Sequence, residues 1–215
     1  MKAPTQPLFT VIICPGNGCS QIRKCNWYGQ LYDVLSNSSS NSNVGGSIRC
    51  RCICENFPDP LHARRDIWVP HIRSLAEKHA SNNGDDVILV GHSSGAQAAL
   101  RYAELYKVHG VVLVSATYSD LGDAHERASG YYPQKASGIG GGVVGETNPY
   151  LFDEMKENCK NWHQFHSDDD PFIPLHEAEK IRDGLGLSET YYMLPGRSHF
   201  FHYSPELLNV ILSMC

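Results

Sequence analysis

The stretch Gly91-His92-Ser93-Ser94-Gly95 constrains this chain most. An apolar, β-branched run, Val87-Ile88-Leu89-Val90, precedes it, and a helix-like run, Ala96-Gln97-Ala98-Ala99-Leu100-Arg101-Tyr102-Ala103-Glu104, follows. A glycine on each side of x-Ser-x lets a strand turn sharply into a helix, because a Cβ at either position would crowd the turn. Such a turn holds the serine in a strained conformation and lifts its hydroxyl above the edge of a sheet. A chain built around it needs a central strand, covered on both faces, that feeds directly into a helix.

The rest of the chain supplies that setting. Apolar runs that read as strands over 9–14, 48–54, 87–90, 110–115, 162–166 and 190–194 alternate with helix-like segments over 27–35, 61–78, 95–106, 150–158, 175–185 and 205–214. This alternation predicts an α/β fold with a mostly parallel sheet of about six strands flanked by helices. Continuous runs such as Val111-Val112-Leu113-Val114 suit strands buried on both faces. At 215 residues the chain is expected to form a single domain, 1–215, with flexible loop insertions at 36–47 (Ser/Asn/Gly-rich) and 136–148 (Gly-rich).

A net charge of −5 disfavours a nucleic-acid surface. No apolar run approaches the roughly 20 residues of a membrane span, and the run over 8–14 is too short for a secretory leader. The eight cysteines, Cys14, Cys19, Cys25, Cys50, Cys52, Cys54, Cys159 and Cys215, therefore read as reduced thiols of a cytoplasmic or nuclear protein. Cys50, Cys52 and Cys54 alternate and are expected to line one strand face as small hydrophobes; their spacing does not suit a metal site.

A serine hydroxyl needs a base to take its proton, and the base needs an orienting acid. In α/β-hydrolases these follow in the chain order serine, acid, histidine. After Ser93, the predicted strand over 162–166 runs into Asp168-Asp169-Asp170-Pro171, and the strand over 190–194 runs into Pro195-Gly196-Arg197-Ser198-His199. Both clusters fall at the C-terminal edge of the sheet, where ligands of open α/β sheets bind. Asp170 is favoured because the following proline extends its backbone, with Asp168 and Asp169 as alternatives; His199 is favoured over His202. An oxyanion would be held by the amide of Ser94 and by one from Pro15-Gly16-Asn17-Gly18, here assigned to Asn17, with Gly16 or Gly18 as alternatives. That loop lacks the third glycine and the directly following helix of a dinucleotide fingerprint. Trp27, Trp68, Tyr131 and Tyr132 are each either acyl-pocket or core residues. No metal and no organic cofactor is needed for this chemistry.

Longer segments sharpen the pattern. Pro15-Gly16-Asn17-Gly18, Trp27-Tyr28-Gly29, Pro58-Asp59-Pro60, Ile67-Trp68-Val69-Pro70, Glu126-Arg127-Ala128-Ser129-Gly130-Tyr131, Asp169-Asp170-Pro171-Phe172-Ile173-Pro174 and Ser198-His199-Phe200 together resemble the retinoblastoma-binding protein 9 family of small serine hydrolases. The resemblance implies a compact α/β-hydrolase with a minimal lid and a triad of Ser93, Asp170 and His199. It also implies esterase or amidase activity on small substrates, with aminopeptidase-like activity on amino-acid amides and esters. The family usually carries glycine before the histidine, where this chain has Ser198. The Leu-x-Cys-x-Glu motif behind the family's name is not found, since Ile53-Cys54-Glu55 lacks its spacing, so that partner is not carried over. The expected function is hydrolysis of a small-molecule ester or amide through an acyl-enzyme. The alternative is a non-enzymatic protein-binding module on a hydrolase fold, with 119–131 as its surface.

Overall fold

A computed structural model describes residues 8–38, 50–80, 84–137 and 143–215. Its main sheet has six parallel strands in the order β2-β1-β3-β4-β7-β8. These are β1 (Phe9–Cys14), β2 (Cys50–Ile53), β3 (Val87–His92), β4 (Gly110–Val114), β7 (Asn161–His166) and β8 (Tyr191–Met193). Helices α1 (Tyr28–Ser38), α2 (Arg65–His79), α3 (Ser94–Ala103), α5 (Phe152–Asn158), α6 (Leu175–Leu185) and α7 (Pro205–Met214) connect or follow the strands. Every residue of β1, β3 and β4 is buried. Alternate side chains feed two cores: Ile12, Leu89 and Val111 pack with α2 and α3, while Val11, Ile13, Ile88 and Val90 pack with α1 and α7. Burying each such Leu, Ile or Val contributes about 1.5–3 kcal/mol. Cys50, Cys52 and Cys54 all lie in the second core, as their alternation predicts.

The sheet order reverses between β1 and β3: β2 lies on one side of β1, and all later strands lie on the other. Loops leaving the C-terminal ends of these two strands diverge and open a crevice. That crevice is where the β1 loop and the turn after β3 meet.

Two segments depart from the sequence expectation. Residues 36–38, read as loop, complete α1; 39–47 lie outside the described residues. In 136–148, also read as loop, the described parts pair as an antiparallel ribbon of β5 (Gln134–Ser137) and β6 (Val143–Thr147), while 138–142 lie outside the described residues. The ends of this ribbon are held by one buried guanidinium. Arg101 on α3 is 1% exposed. It donates to the carbonyls of Tyr131 (2.7 Å), Asn148 (2.8 Å) and Pro149 (2.8 Å), and to the Glu104 carboxylate (2.5 Å). Glu104 in turn accepts the Leu151 amide at 3.1 Å and lies 3.5 Å from Arg65.

A short helix, α4 (Ala124–Ser129), was not anticipated. Its signals are present in the chain: Asp123 Oδ1 caps the amides of His125 (2.8 Å) and Glu126 (2.9 Å), and Gly130 ends the helix at φ 84°. Among the described residues, no helix is long and apolar enough to cross a membrane.

Candidate active site

Ser93 links β3 to α3 with φ 54° and ψ −121°, a backbone region costing a non-glycine residue about 1–3 kcal/mol. Close packing enforces the turn. A Cβ on Gly91 would lie 2.5 Å from the Gly95 carbonyl oxygen, and one on Gly95 would lie 2.1 Å from that of Cys14. Both flanking glycines are therefore obligatory, and the end of β1 is pressed against the first turn of α3. The Ser93 amide donates to Val114 of β4 at 2.9 Å. Among the described residues, the Ser93 hydroxyl makes no side-chain hydrogen bond, and the Ser94 amide, first in α3, has no partner.

The acid and histidine loops are laced together by three consecutive aspartates after β7. Asp168 accepts the Gly196 amide (3.1 Å), Asp169 accepts the Ser198 amide (2.7 Å), and Asp170 Oδ2 meets His199 Nδ1 at 2.8 Å. Asp170 Oδ1 also accepts the amides of Phe172 (3.0 Å) and Ile173 (3.1 Å). Burial pushes the Asp170 carboxyl upward, but His199 and these two amides outweigh it and hold the group below the usual carboxylate range. Asp170 is thus the one of the three whose carboxylate reaches the imidazole, while Asp168 and Asp169 fix the loop that carries it. His199 sits between two left-handed residues, Ser198 (φ 53°) and Phe200 (φ 47°). The strain at Ser198 explains in physical terms why glycine suits that position. Trp27 Nε1 donates to the Phe200 carbonyl at 2.8 Å and secures the loop's far side. His202 is exposed and does not line the cavity.

The β1 loop separates its three candidate amides. Gly16 donates to the Tyr28 hydroxyl at 2.9 Å, and Gly18 donates to the Pro60 carbonyl at 2.6 Å. Among the described residues, the Asn17 amide has no partner.

Gly16, Asn17, Ser93, Ser94 and His199 all line one cavity of about 530 Å³. Asp170 stands behind His199, outside the lining. No hydrogen bond joins Ser93 to His199; the two side chains share the cavity without touching through a polar contact. The mouth carries the exposed apolar side chains Leu121 (41%), Phe172 (59%) and Phe201 (39%). Glu126 of α4 lines one wall, and its carboxylate accepts the hydroxyl of Tyr132, also a lining residue, at 2.6 Å. Sequence reasoning gave Glu126 no individual role; the cap at Asp123 was the signal that could have placed it. Of the four aromatics considered, only Tyr132 lines the cavity, while Trp27, Trp68 and Tyr131 are core. Among the described residues, no group of three or more His, Cys, Asp or Glu side chains could hold a metal ion.

Comparison with known proteins gives a consistent picture. A family model described as the alpha/beta hydrolase family matches residues 11–158, which include the Ser93 turn but end before Asp170 and His199. The serine hydrolase RBBP9 of Rattus norvegicus is 37% identical over 100% of this chain and 97% of its own. Among solved structures, the ydeN gene product of B. subtilis matches with a TM-score of 0.71 at 20% identity, covering 96% of this chain and 98% of that one. FphF, a fluorophosphonate-binding serine hydrolase of Staphylococcus aureus, matches with a TM-score of 0.60 at 14% identity, covering 99% of this chain and 85% of that one. The two structural likenesses show the fold.

Proposed function

Because this chain belongs to the α/β-hydrolase family, among the RBBP9-like serine hydrolases, we propose that it cleaves small esters and amides through an acyl-enzyme on Ser93. The observation that carries this reading is the 2.8 Å contact of Asp170 with His199 Nδ1, whose residue lines the same cavity as Ser93, itself held in a strained backbone conformation with an uncommitted hydroxyl.

In the proposed reaction, His199 Nε2 takes the Ser93 proton as Oγ forms a bond to the substrate's carbonyl carbon. Asp170 fixes the imidazole tautomer and stabilises the imidazolium. The amides of Ser94 and Asn17 receive the oxyanion; being already in place, they cost no reorganisation as the charge develops. Collapse of the tetrahedral adduct breaks the bond to the alcohol or amine, which leaves with the proton from His199. Water then attacks the acyl-enzyme, giving its proton to His199, and the acid departs as Ser93 regains a proton. Apolar groups at the mouth suit an uncharged acyl or leaving group. The Glu126 carboxylate on the wall suits an ammonium on the acyl part, which supports aminoacyl esters and amides as substrates.

The test is to compare parent and Ser93→Ala protein with p-nitrophenyl acetate, an aminoacyl arylamide and a fluorophosphonate probe. The expected outcome is Ser93-dependent labelling and loss of turnover by about 10⁵-fold or more in the variant. Equal labelling or equal turnover in the two proteins overturns the reading in favour of a binding module. Matched aminoacyl and acyl esters then settle the substrate preference, with the ammonium-bearing member expected to give the higher kcat/KM.

A further inference from the structure

We infer that His92 and Tyr28 form a buried positioning relay that holds the oxyanion loop and the His199 loop in register across the Ser93 turn. The inference rests on the acyl-transfer reading above.

Four hydrogen bonds define the relay. The Gly16 amide and Asn26 Nδ2 both point at the Tyr28 hydroxyl, at 2.9 and 3.2 Å. That hydroxyl lies 2.6 Å from His92 Nδ1, and His92 Nε2 lies 2.9 Å from the His199 carbonyl oxygen. The proton positions follow from what each group can do. A carbonyl only accepts, so Nε2 carries the proton. Nδ1 is then a bare acceptor, and the Tyr28 hydroxyl donates to it. The same hydroxyl accepts from Gly16 and Asn26, which fills its acceptor capacity. A second proton on Nδ1 would face a hydroxyl with no lone pair to offer. Burial, with the nearby His199 imidazole adding to it, pulls the His92 pKa down to about 3. His92 therefore stays neutral and in one tautomer. Although it lines the cavity, both its nitrogens are committed, so it has no free site at which to move a proton.

The relay joins four separate parts of the fold. Tyr28 opens α1, Gly16 lies in the loop after β1, His92 ends β3, and His199 lies beyond β8. Tyr28 takes the Gly16 amide, while the adjacent Asn17, a cavity-lining residue, keeps an amide without a partner among the described residues. By taking the His199 carbonyl, His92 holds the backbone that carries the imidazole lining the cavity. The ground-state cavity needs neither constraint, whereas the transition state needs both, because a misplacement of about 1 Å can cost 10²-fold in rate.

The test uses the full chain with Tyr28→Phe, which removes only the hydroxyl, and with His92→Ala and His92→Gln. Folding is checked by circular dichroism, and the readouts are kcat, KM and the rate constant of fluorophosphonate labelling. Loss of the relay is expected to lower kcat and the labelling rate by about 10- to 100-fold with KM held within about threefold. His92→Gln, whose amide can still donate to the His199 carbonyl, is expected to recover part of the loss seen in His92→Ala. Folded variants that keep the parental kcat, or that change KM alone, overturn the relay while leaving the acyl-transfer reading intact. A parent whose Ser93 does not react overturns both. Should the variants not fold, imidazole ¹⁵N shifts of the parent decide. A neutral Nε2–H tautomer of His92 from pH 5 to 9 is the expected result, and an Nδ1–H tautomer or a cation in that range overturns the relay.

Discussion

Two buried polar clusters lie at opposite ends of α3 and differ in what they leave unfinished. At the far end, Arg101 spreads its donors over three carbonyls and Glu104, and Glu104 also holds a backbone amide. At the near end, the relay and the aspartate ladder are equally well bonded, yet they surround groups without partners among the described residues: the amides of Asn17 and Ser94 and the Ser93 hydroxyl. The first cluster satisfies its charges and so holds structure. The second leaves a few cavity-lining groups unsatisfied, as the proposed reaction would use them. The contrast locates chemistry by the spare capacity of a cluster rather than by its polarity or burial.

Substitutions at the two ends can break or sharpen this contrast. Beyond Ser93 itself, the largest effect is expected from Asp170→Asn, which keeps the shape but can hold the wrong imidazole tautomer; kcat is expected to fall by about 10⁴-fold in ester hydrolysis with little change in KM. The same variant carries a stability signature. The folded-state pKa of Asp170 is depressed, so its contribution is present above the ordinary carboxylate value of about 4 and is lost as pH falls through the folded value. Urea titrations across pH 2–5 are expected to show a shallower acid loss in Asp170→Asn than in the parent. Next comes Arg101→Met, which leaves Glu104 buried with its main partner gone; unfolding free energy is expected to drop by about 3–5 kcal/mol. If the contrast holds, kcat of the remaining folded protein stays near parental, and a loss of kcat without a loss of stability breaks it. The smallest effect is expected from Ser198→Gly, which relieves a left-handed residue and stabilises by about 1 kcal/mol in thermal melts, with Asp169 still able to hold the same amide.

The sheet was legible because its strands carry their signal locally. The runs at 9–14, 175–185 and 205–214 became elements with those same bounds, since an apolar strand and two amphipathic helices need no distant information. The helix expected from 61 begins at Arg65 instead. The Asp59 carboxylate binds His62 (2.9 Å) and Arg64 (2.7 Å) and holds that stretch as a turn. The β5–β6 ribbon carries little strand signal because Gln134-Lys135-Ala136-Ser137 is short and polar and Gly145 interrupts the other strand, and α4 was hidden because six residues are too few to show a period.

At the candidate site, chain order proposed Ser93, Asp170 and His199, and their positions at the sheet edge agree with that order. The choice of Asn17 over its neighbours was only a preference in the sequence. It gains support from two long-range bonds, Gly16 to Tyr28 and Gly18 to Pro60, which no local pattern encodes. No local pattern assigns His92 a role for the same reason: its partners lie 64 and 107 residues away.

The grip of Arg101 on both feet of the β5–β6 ribbon has a practical meaning for protein engineering. Tyr131 on one side and Asn148 and Pro149 on the other are pinned to the same guanidinium. The intervening stretch is therefore a cassette with fixed ends, and a transplant of different length or chemistry starts and finishes on backbone that stays where it was. Because Tyr132 lies just inside one of those ends and faces the cavity, such exchanges offer a route to redesigning selectivity from the rim inward without disturbing the sheet.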